Sequence, residues 1–396
     1  MNVTITPAKL QGTVIPPPSK SQAHRAVLAL ALSGGEGKLS NLSPSQDIRA
    51  TEDCVAALKN GTPAGHDGLP MLDCRESGST LRFLIPVALV LRGGGHFIGK
   101  GRLMERPQDP YFEIFREKGI FWERIGGIMT IRGELPPGEY RLRGDVSSQF
   151  VTGLLYALPL LDGDSKIVLT SPLESRDYVA MTLDVLEKFG VRVENQGYER
   201  FLVPGKQRFR ARDMTIEADW SQAGFWYAAG FLGNPVEAAG LDPGSVQGDR
   251  VLADQYAELA GPGAVELDVS GCPDLVPPLA AMAALRSGQT TRLTNAARLR
   301  IKESDRLAAV TRVLGGLGAD VTEGPDSLTI CGRDSLTGGV KVDSFNDHRI
   351  AMMAAIAATR CVKPITVTGA ECVAKSYPNF WEDYEKLGGK IARSEV

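Results

Sequence analysis

The chain repeats itself, and that repetition constrains its fold more than any other feature. The triplet Ser21–Gln22–Ala23 opens an apolar helical run that ends in glycines, and the same triplet at Ser221–Gln222–Ala223 opens another, 200 positions later. Glycines that close a Leu-, Lys- and Glu-rich segment before a strand occur at Gly61, Gly119 and Gly190. They recur at Gly261, Gly318 and Gly389, with offsets of 200, 199 and 199. Glycine suits the left-handed conformation that stops a helix. The stretches that follow Gly190 and Gly318 (GVRVENQG and GADVTEGPDSLTICG) read as strand, turn, strand. Each half therefore holds three helix-then-strand units. Glycine-stopped helices recur by chance in any α/β protein, but chance explains three matched spacings and two local matches poorly.

Counted from Asp219 the second half has 178 residues, against 200 from Ser19 to Ala218, so about one strand pair is missing from it. The amino terminus is the natural source: ITPAKLQ at Ile5–Gln11 resembles LVPGKQR at Leu202–Arg208, and both lead into a strand and then an S-Q-A helix start. The expected organisation is a discontinuous domain of residues 1–18 plus 219–396 and an inserted domain of residues 19–218, joined by a double crossing. Two facing domains imply a cleft, a usual place for small-molecule sites.

With 396 residues and 43% apolar side chains, the chain can bury more than one core. A formal charge of -3 provides no global basic field, which argues against a nucleic-acid groove or an anionic membrane as partner; any anion site must be local. Six cysteines without a C-x-x-C pair and four histidines show no zinc spacing, so no metal is expected, and reduced thiols fit a cytoplasmic location. MNVTITPAKLQGTVI alternates like a strand and lacks the order of a signal peptide, and no run is long enough to span a bilayer.

Local stations for anions are plentiful. In PPPSKSQAHR, Lys20, Ser21 and Arg25 lie at a loop-to-helix junction, where free N–H groups and adjacent cations suit phosphate or carboxylate; Ser21 as a plain cap with a solvated Lys20 is the competing account. CRESGSTLR places Gly78, Ser79 and Thr80 at a helix start with Arg82 in its first turn, where a cation is unfavourable for the helix dipole and a bound anion would explain it. Arg106 precedes Pro107 in a loop, and Ser147, Ser148 and Gln149 precede a buried helix, more hydrogen-bonding groups than capping needs. Asn346, Asp347, His348 and Arg349 open another helix, with Asp347 as an ordinary N-cap the plain alternative. In LRLRIKESDR, Arg300, Lys302, Glu303, Asp305 and Arg306 crowd a helix start, which an ordinary charged surface would also explain. Asp274 sits alone among apolar neighbours; a carboxylate partly desolvated there would have a raised pKa and could take a proton from an alcohol. Lys375 lies in a loop before a helix. Lys20, Arg25, Arg106, Lys302, Arg306, Arg349 and Lys375, with Asp274 and Glu303 as acid/base candidates and no nucleophilic pair, fit displacement chemistry between anionic small molecules. Residue chemistry does not name the substrates.

The motifs SKSQAHR, SGSTLR, ERP, GDVSSQF, KESDR, NDHR and AKSYP stand in the order and approximate spacing of the 5-enolpyruvylshikimate-3-phosphate synthase family, which the chain resembles from about residue 12 to 387. The resemblance implies an α/β fold of two similar domains, each of three βαβαββ units, the inverse α/β prism of the enolpyruvyl transferases. It implies transfer of the enolpyruvyl group of phosphoenolpyruvate to shikimate 3-phosphate by addition and elimination, without a cofactor, in a monomer. By resemblance, Lys20, Ser21, Arg25, Ser147, Ser148, Gln149, Ser175, Tyr178, Asp274 and Lys302 would hold shikimate 3-phosphate. Lys20, Gly78, Arg106, Gln149, Arg306, Arg349 and Lys375 would hold phosphoenolpyruvate. Asp274, Glu303 and Lys20 would exchange protons, and closure of the domains would exclude water. Ser19, Glu76 and Arg298 depart from the family pattern. Gly78 leaves room beside phosphoenolpyruvate, so sensitivity to glyphosate is expected. The related UDP-N-acetylglucosamine enolpyruvyl transferases usually carry a cysteine in a glycine-rich loop, where LRGGGHFIGKGR has none. A non-catalytic anion-binding relative would be expected to lose Asp274 or Glu303, and both are present.

Overall fold

The computed structural model describes residues 1–60 and 67–395. The chain divides into two compact units, a discontinuous one of Met1–Ser19 with Glu217–Val396 and a continuous one of Lys20–Ile216.

One motif builds most of both units. In the continuous unit, strand Met71–Asp73 leads through helix Gly78–Arg92 to the parallel strand Gly94–Ile98. Helix Asp109–Lys118 then leads to the hairpin Phe121–Ile125 and Ile128–Arg132, whose second strand pairs antiparallel with Gly94–Ile98. The sheet order is thus first, second, fourth, third. Strands Glu139–Leu142, Ser165–Leu169, Glu194–Gln196 and Arg200–Val203 repeat it around helices Ser148–Ala157 and Arg176–Lys188. In the discontinuous unit, Val265–Asp268, Thr290–Thr294, Asp320–Glu323 and Leu328–Cys331 repeat it around helices Val276–Ala283 and Arg306–Gly316.

The last sheet completes the pattern from the other end of the chain. Lys341–Asp343, Ile365–Thr368 and Lys390–Ser394 supply three strands, and Asn2–Thr6 takes the position that Arg200–Val203 holds in its own sheet, with Val3 opposite both Val367 and Arg393. Alternation explains the fit: Val3 and Ile5 are fully buried, while their neighbours face outward or lie part-buried. Among the described residues, the remaining unit of each half has two paired strands. Leu39–Ser40 pairs with Met214–Thr215, and Val236–Ala238 pairs with Gly12–Val14, both parallel.

The helices face inward. Every residue of His348–Ala358 and of Val276–Ala283 is buried, as expected of helices apolar on all sides. Each unit has its own core, one centred on Trp226, Phe380 and Tyr384 and the other on Phe83, Phe115 and Phe150. No helix among the described residues is long and apolar enough to cross a membrane. The six cysteines are thiols outside any disulfide, and Cys331 is the one that is exposed.

The helix-stopping glycines divide. Gly119, Gly190 and Gly318 have φ of +70°, +81° and +100°. Gly261 ends its helix in extended backbone at φ −72°, so the left-handed expectation fails there. At the last repeat the left-handed residue is Gly388 rather than Gly389, one position earlier. Gly389 is constrained sterically instead: a Cβ there would lie 2.1 Å from Tyr384 Cδ1. Gly61 lies outside the described residues.

Candidate active site

In the continuous unit, four helix starts carry predicted side chains. Helix Lys20–Ser33 begins on Lys20, whose Nζ donates to Asp47 Oδ2 at 2.9 Å. Arg25, buried one turn later, spends its guanidinium inward, on Thr182 Oγ1 (2.8 Å) and on the carbonyls of Ser21 (2.7 Å) and Tyr178 (2.8 Å). Burial brings it down to about 10, with Tyr156 and Tyr178 acting against that shift. Arg25 thereby fixes Ser21 and Tyr178 to each other. Ser175, next to Tyr178, is buried and held at φ +53°, a left-handed geometry that costs a non-glycine residue roughly 1–2 kcal/mol.

The Gly78 helix start is built around Arg106. A Cβ on Gly78 would stand 2.7 Å from Arg106 Nη1 and 3.0 Å from its Cζ, so the guanidinium occupies the space that only glycine leaves. Arg82 lies one turn into the helix and is buried against the Phe150 ring, 4.8 Å from its centroid. Its Nη1 donates to Gln149 Oε1 (2.8 Å) and its Nη2 to the Pro107 carbonyl (2.9 Å). Gln149 Nε2 donates to Ser79 Oγ at 2.9 Å. Arg82 therefore orients the Gln149 amide and anchors the Arg106 loop. Ser147 caps helix Ser148–Ala157 by accepting from Gln149 N, and Ser148 is buried at its first position.

In the discontinuous unit the charged run resolves into two groups. Arg300 is structural: it donates to the carbonyls of Pro325 (2.9 Å) and Gly324 (2.7 Å) and pairs with Glu323 (2.7 Å) and Asp305 (3.1 Å). Asp305 caps the next helix, accepting from Ala308 N. Arg306 turns the other way and is almost wholly buried inside carboxylates. Its Nε meets Asp347 Oδ2 (2.9 Å), Nη1 meets Asp274 Oδ1 (2.9 Å) and Nη2 meets Glu303 Oε2 (2.8 Å). Arg349 Nη2 reaches Asp274 Oδ2 at 3.1 Å, and Lys302 Nζ stands 3.8 Å from Asp274. Three cations and three carboxylates are thus linked in one cage.

Asp347 is more than a cap. It accepts from Arg349 N (3.0 Å) and Ser304 Oγ (3.0 Å) while binding Arg306, and it is fully buried. Two left-handed residues, Phe345 and Asn346 at φ +53° and +52°, precede it. This turn delivers the Asn346 carbonyl to Lys375 Nζ at 2.6 Å.

The cage reverses one expectation. Burial alone would raise the Asp274 carboxyl, but Arg349, Lys302 and Arg306 outweigh burial and hold it well below the usual carboxylate range. Burial works against the charge of Arg306, yet Asp347, Glu303 and Asp274 raise its guanidinium above its ordinary value. Lys302 is brought down to about 8, by burial first and by Arg306 and Arg298, against the pull of Asp274 and Glu303. Beside the cage, Asp249 is a carboxylate that does rise, lifted to about 7 by burial and then by Asp274, with Arg349 opposing. No motif in the sequence marks Asp249, or Asp47 beside Lys20.

Chemically, each unit offers buried cations at helix starts, and the discontinuous unit adds carboxylates that share one guanidinium. Comparison with known proteins gives this a context. The family described as EPSP synthase (3-phosphoshikimate 1-carboxyvinyltransferase) matches residues 5–384. A Clostridium kluyveri protein named 3-phosphoshikimate 1-carboxyvinyltransferase is 47% identical, covering 98% of this chain and 98% of its own. One of the same name from Clostridium novyi is 43% identical at the same coverage of both. Among solved structures, EPSP synthase from Acinetobacter baumannii aligns over 99% of this chain and 100% of its own with a TM-score of 0.78 and 22% identity. The enolpyruvyl transferase NikO from Streptomyces tendae aligns over 99% and 98% with a TM-score of 0.75 and 16% identity.

Proposed function

The chain belongs to the EPSP synthase family, and from that premise we propose that it transfers the enolpyruvyl group of phosphoenolpyruvate to the 5-hydroxyl of shikimate 3-phosphate and releases phosphate. The observation that carries the reading to particular residues is the sharing of the Arg306 guanidinium between Asp274 and Glu303, at 2.9 and 2.8 Å.

The cage accounts for how a weakly basic Asp274 becomes a base. Arg306, Arg349 and Lys302 are balanced by Asp274, Glu303 and Asp347. An arriving phosphoenolpyruvate carries its own carboxylate and phosphate, competes for the same guanidinium groups and tips the balance negative. Asp274 then loses donors and gains proton affinity, as does Glu303. In the addition step the 5-hydroxyl oxygen bonds to C2 of phosphoenolpyruvate, its proton passes to Asp274, and Glu303 or Lys20 protonates the methylene carbon. In the elimination step that carbon returns a proton to the group that supplied it, Glu303 or Lys20, while the C2–O bond to phosphate breaks, which leaves the enol ether. Preorganised cations stabilise the charge that develops on the departing phosphate.

Shikimate 3-phosphate is assigned to Lys20, Ser21, Arg25, the Ser147–Gln149 turn, Ser175, Tyr178, Asp274 and Lys302. Phosphoenolpyruvate is assigned to Lys20, Gly78, Arg106, Gln149, Arg306, Arg349 and Lys375. The Arg25 anchoring of Ser21 and Tyr178 supports the first set, and the Arg106 guanidinium over Gly78 supports the second. The proposal extends to a monomer in the cytoplasm, bounded as domains by residues 1–18 plus 219–396 and 19–218. The deciding experiment measures phosphate released from phosphoenolpyruvate with and without shikimate 3-phosphate: release that requires both supports the reading, and tight binding of both without turnover overturns it.

A further inference from the structure

One group of buried polar side chains in the continuous unit has no part in the assignments above. Ser77, which caps helix Gly78–Arg92, accepts from Thr80 N (3.2 Å) and from Thr80 Oγ1 (2.7 Å). Thr80 Oγ1 lies 2.7 Å from Thr51 Oγ1, and Thr51 Oγ1 lies 2.7 Å from His24 Nδ1. All four residues are at most 1% exposed. His24 Nε2 is buried as well, with no hydrogen-bond partner among the described residues. A polar chain in such a place is costly unless its geometry is used.

Its ends show what the geometry serves. His24 lies on the helix that starts at Lys20, Thr80 lies at the start of the helix that begins at Gly78, and Thr51 joins them from helix Gln46–Asn60. The same middle helix holds Lys20 directly, through Asp47, one turn before Thr51. We propose that Ser77, Thr80, Thr51 and His24 form a positioning network that keeps the Gly78 helix start at one spacing from the Lys20 helix start, so that both present their groups to a single phosphoenolpyruvate. The inference rests on the assignment of Lys20 and Gly78 to that substrate.

The order of protons follows from the chain itself, because each hydroxyl has one to give. Thr80 Oγ1 gives its proton to Ser77 at 2.7 Å rather than to the Asp47 carbonyl, which lies 3.5 Å from both Thr80 Oγ1 and Thr51 Oγ1, so Thr80 accepts from Thr51 and Thr51 accepts from His24. His24 therefore carries its proton on Nδ1 and leaves Nε2 bare, which agrees with a buried Nε2 that has no acceptor beside it. Burial, with Lys20 and then Arg25 nearby, keeps the ring neutral.

Two measurements test this. In the wild-type protein, nitrogen-15 NMR of the His24 ring should show a neutral imidazole protonated at Nδ1; a proton on Nε2 reverses the chain and overturns the inference. In Thr51→Val, where shape is kept and the hydroxyl is lost, KM for phosphoenolpyruvate should rise roughly 3- to 10-fold, the range of one hydrogen bond. KM for shikimate 3-phosphate should stay within about twofold, and Thr51→Ser should restore the wild-type value. A purely structural role would lower the melting temperature of Thr51→Val and leave that split unchanged, which also overturns the proposal. If Thr51→Val does not fold, the ring tautomer decides. Lys20→Met and Arg106→Met separate the two readings. If neither alters KM for phosphoenolpyruvate, the site assignment fails; if both raise it and Thr51→Val does not, only the network fails.

Discussion

Replacing Gly78 by alanine adds one carbon at the point where the Arg106 guanidinium passes, 2.7 Å from Nη1, 3.0 Å from Cζ and 3.2 Å from Nη2. A carbon and a guanidinium nitrogen need more than 3 Å, so one of them must move. The backbone of the helix start is held by the Ser77 cap, whereas Arg106 is the far end of a flexible chain, so the arginine gives way. The fold should be nearly indifferent, since alanine is a better helix residue than glycine by up to about 1 kcal/mol. Ligand binding should not be. A charge-assisted hydrogen bond from Arg106 to a carboxylate or phosphate contributes about 1.5–3 kcal/mol, and losing roughly half of it raises KM for phosphoenolpyruvate about 4- to 13-fold. KM for shikimate 3-phosphate should stay close to wild type. Steady-state phosphate release at varied phosphoenolpyruvate, with a thermal melt to confirm folding, measures both. Glyphosate inhibition should weaken in parallel if the inhibitor meets Arg106 in the same place. An unchanged KM in a folded Gly78→Ala protein would refute the placement of Arg106 over the substrate.

Lys302 loses its charge near pH 8, so kcat/KM for shikimate 3-phosphate should fall on the alkaline side with an apparent pKa close to that value. In Lys302→Arg, which stays charged, that limb should move out of range, and an identical limb in both proteins would assign the titration to another group. Arg306→Met leaves the buried Asp347 and the part-buried Asp274 and Glu303 without their common partner and should cost about 3–5 kcal/mol of stability, read by urea unfolding, along with most of the activity. Arg300→Met removes the neighbouring cation and should leave both KM values within about twofold. Equal kinetic damage from the two substitutions would mean that the division of the charged run is wrong. Asp274→Asn should reduce turnover by roughly 10²- to 10⁴-fold. The folded-state pKa of Asp274 is depressed, so its stabilisation is full above the unfolded value of about 3.9 and is lost as pH falls towards the folded value. Asp274→Asn should therefore be less stable than wild type at neutral pH and lose less further stability on acidification; parallel acid curves would contradict the cage.

The period of the chain was legible because repeated packing needs repeated residues. The matched segments mark strands in equivalent places of their sheets, although the buried residues, Val3 and Ile5 in one and Phe201 and Val203 in the other, fall one position apart in the match, which sets Ile5 against Leu202. The left-handed glycines were legible only where the helix end needs that conformation, which Gly261 shows by ending its helix in extended backbone. Site residues were legible as types at helix starts, because a free N–H end and a cation have a local signature. Their pairing was not. Arg300 and Arg306 lie six positions apart in one charged run, yet they face different partners: one fastens the Gly324–Pro325 turn and the other fills the carboxylate cage. The sign of the Asp274 shift depends on arginines 32 and 75 positions downstream, while its apolar neighbours, the only part visible locally, point the opposite way. Burial and charge compete at that carboxylate, and the competition is settled by distances of about 3 Å that only the fold creates. In the proposed reaction the basicity of Asp274 would therefore rise on substrate binding, when an incoming anion would take over the donors that hold it down.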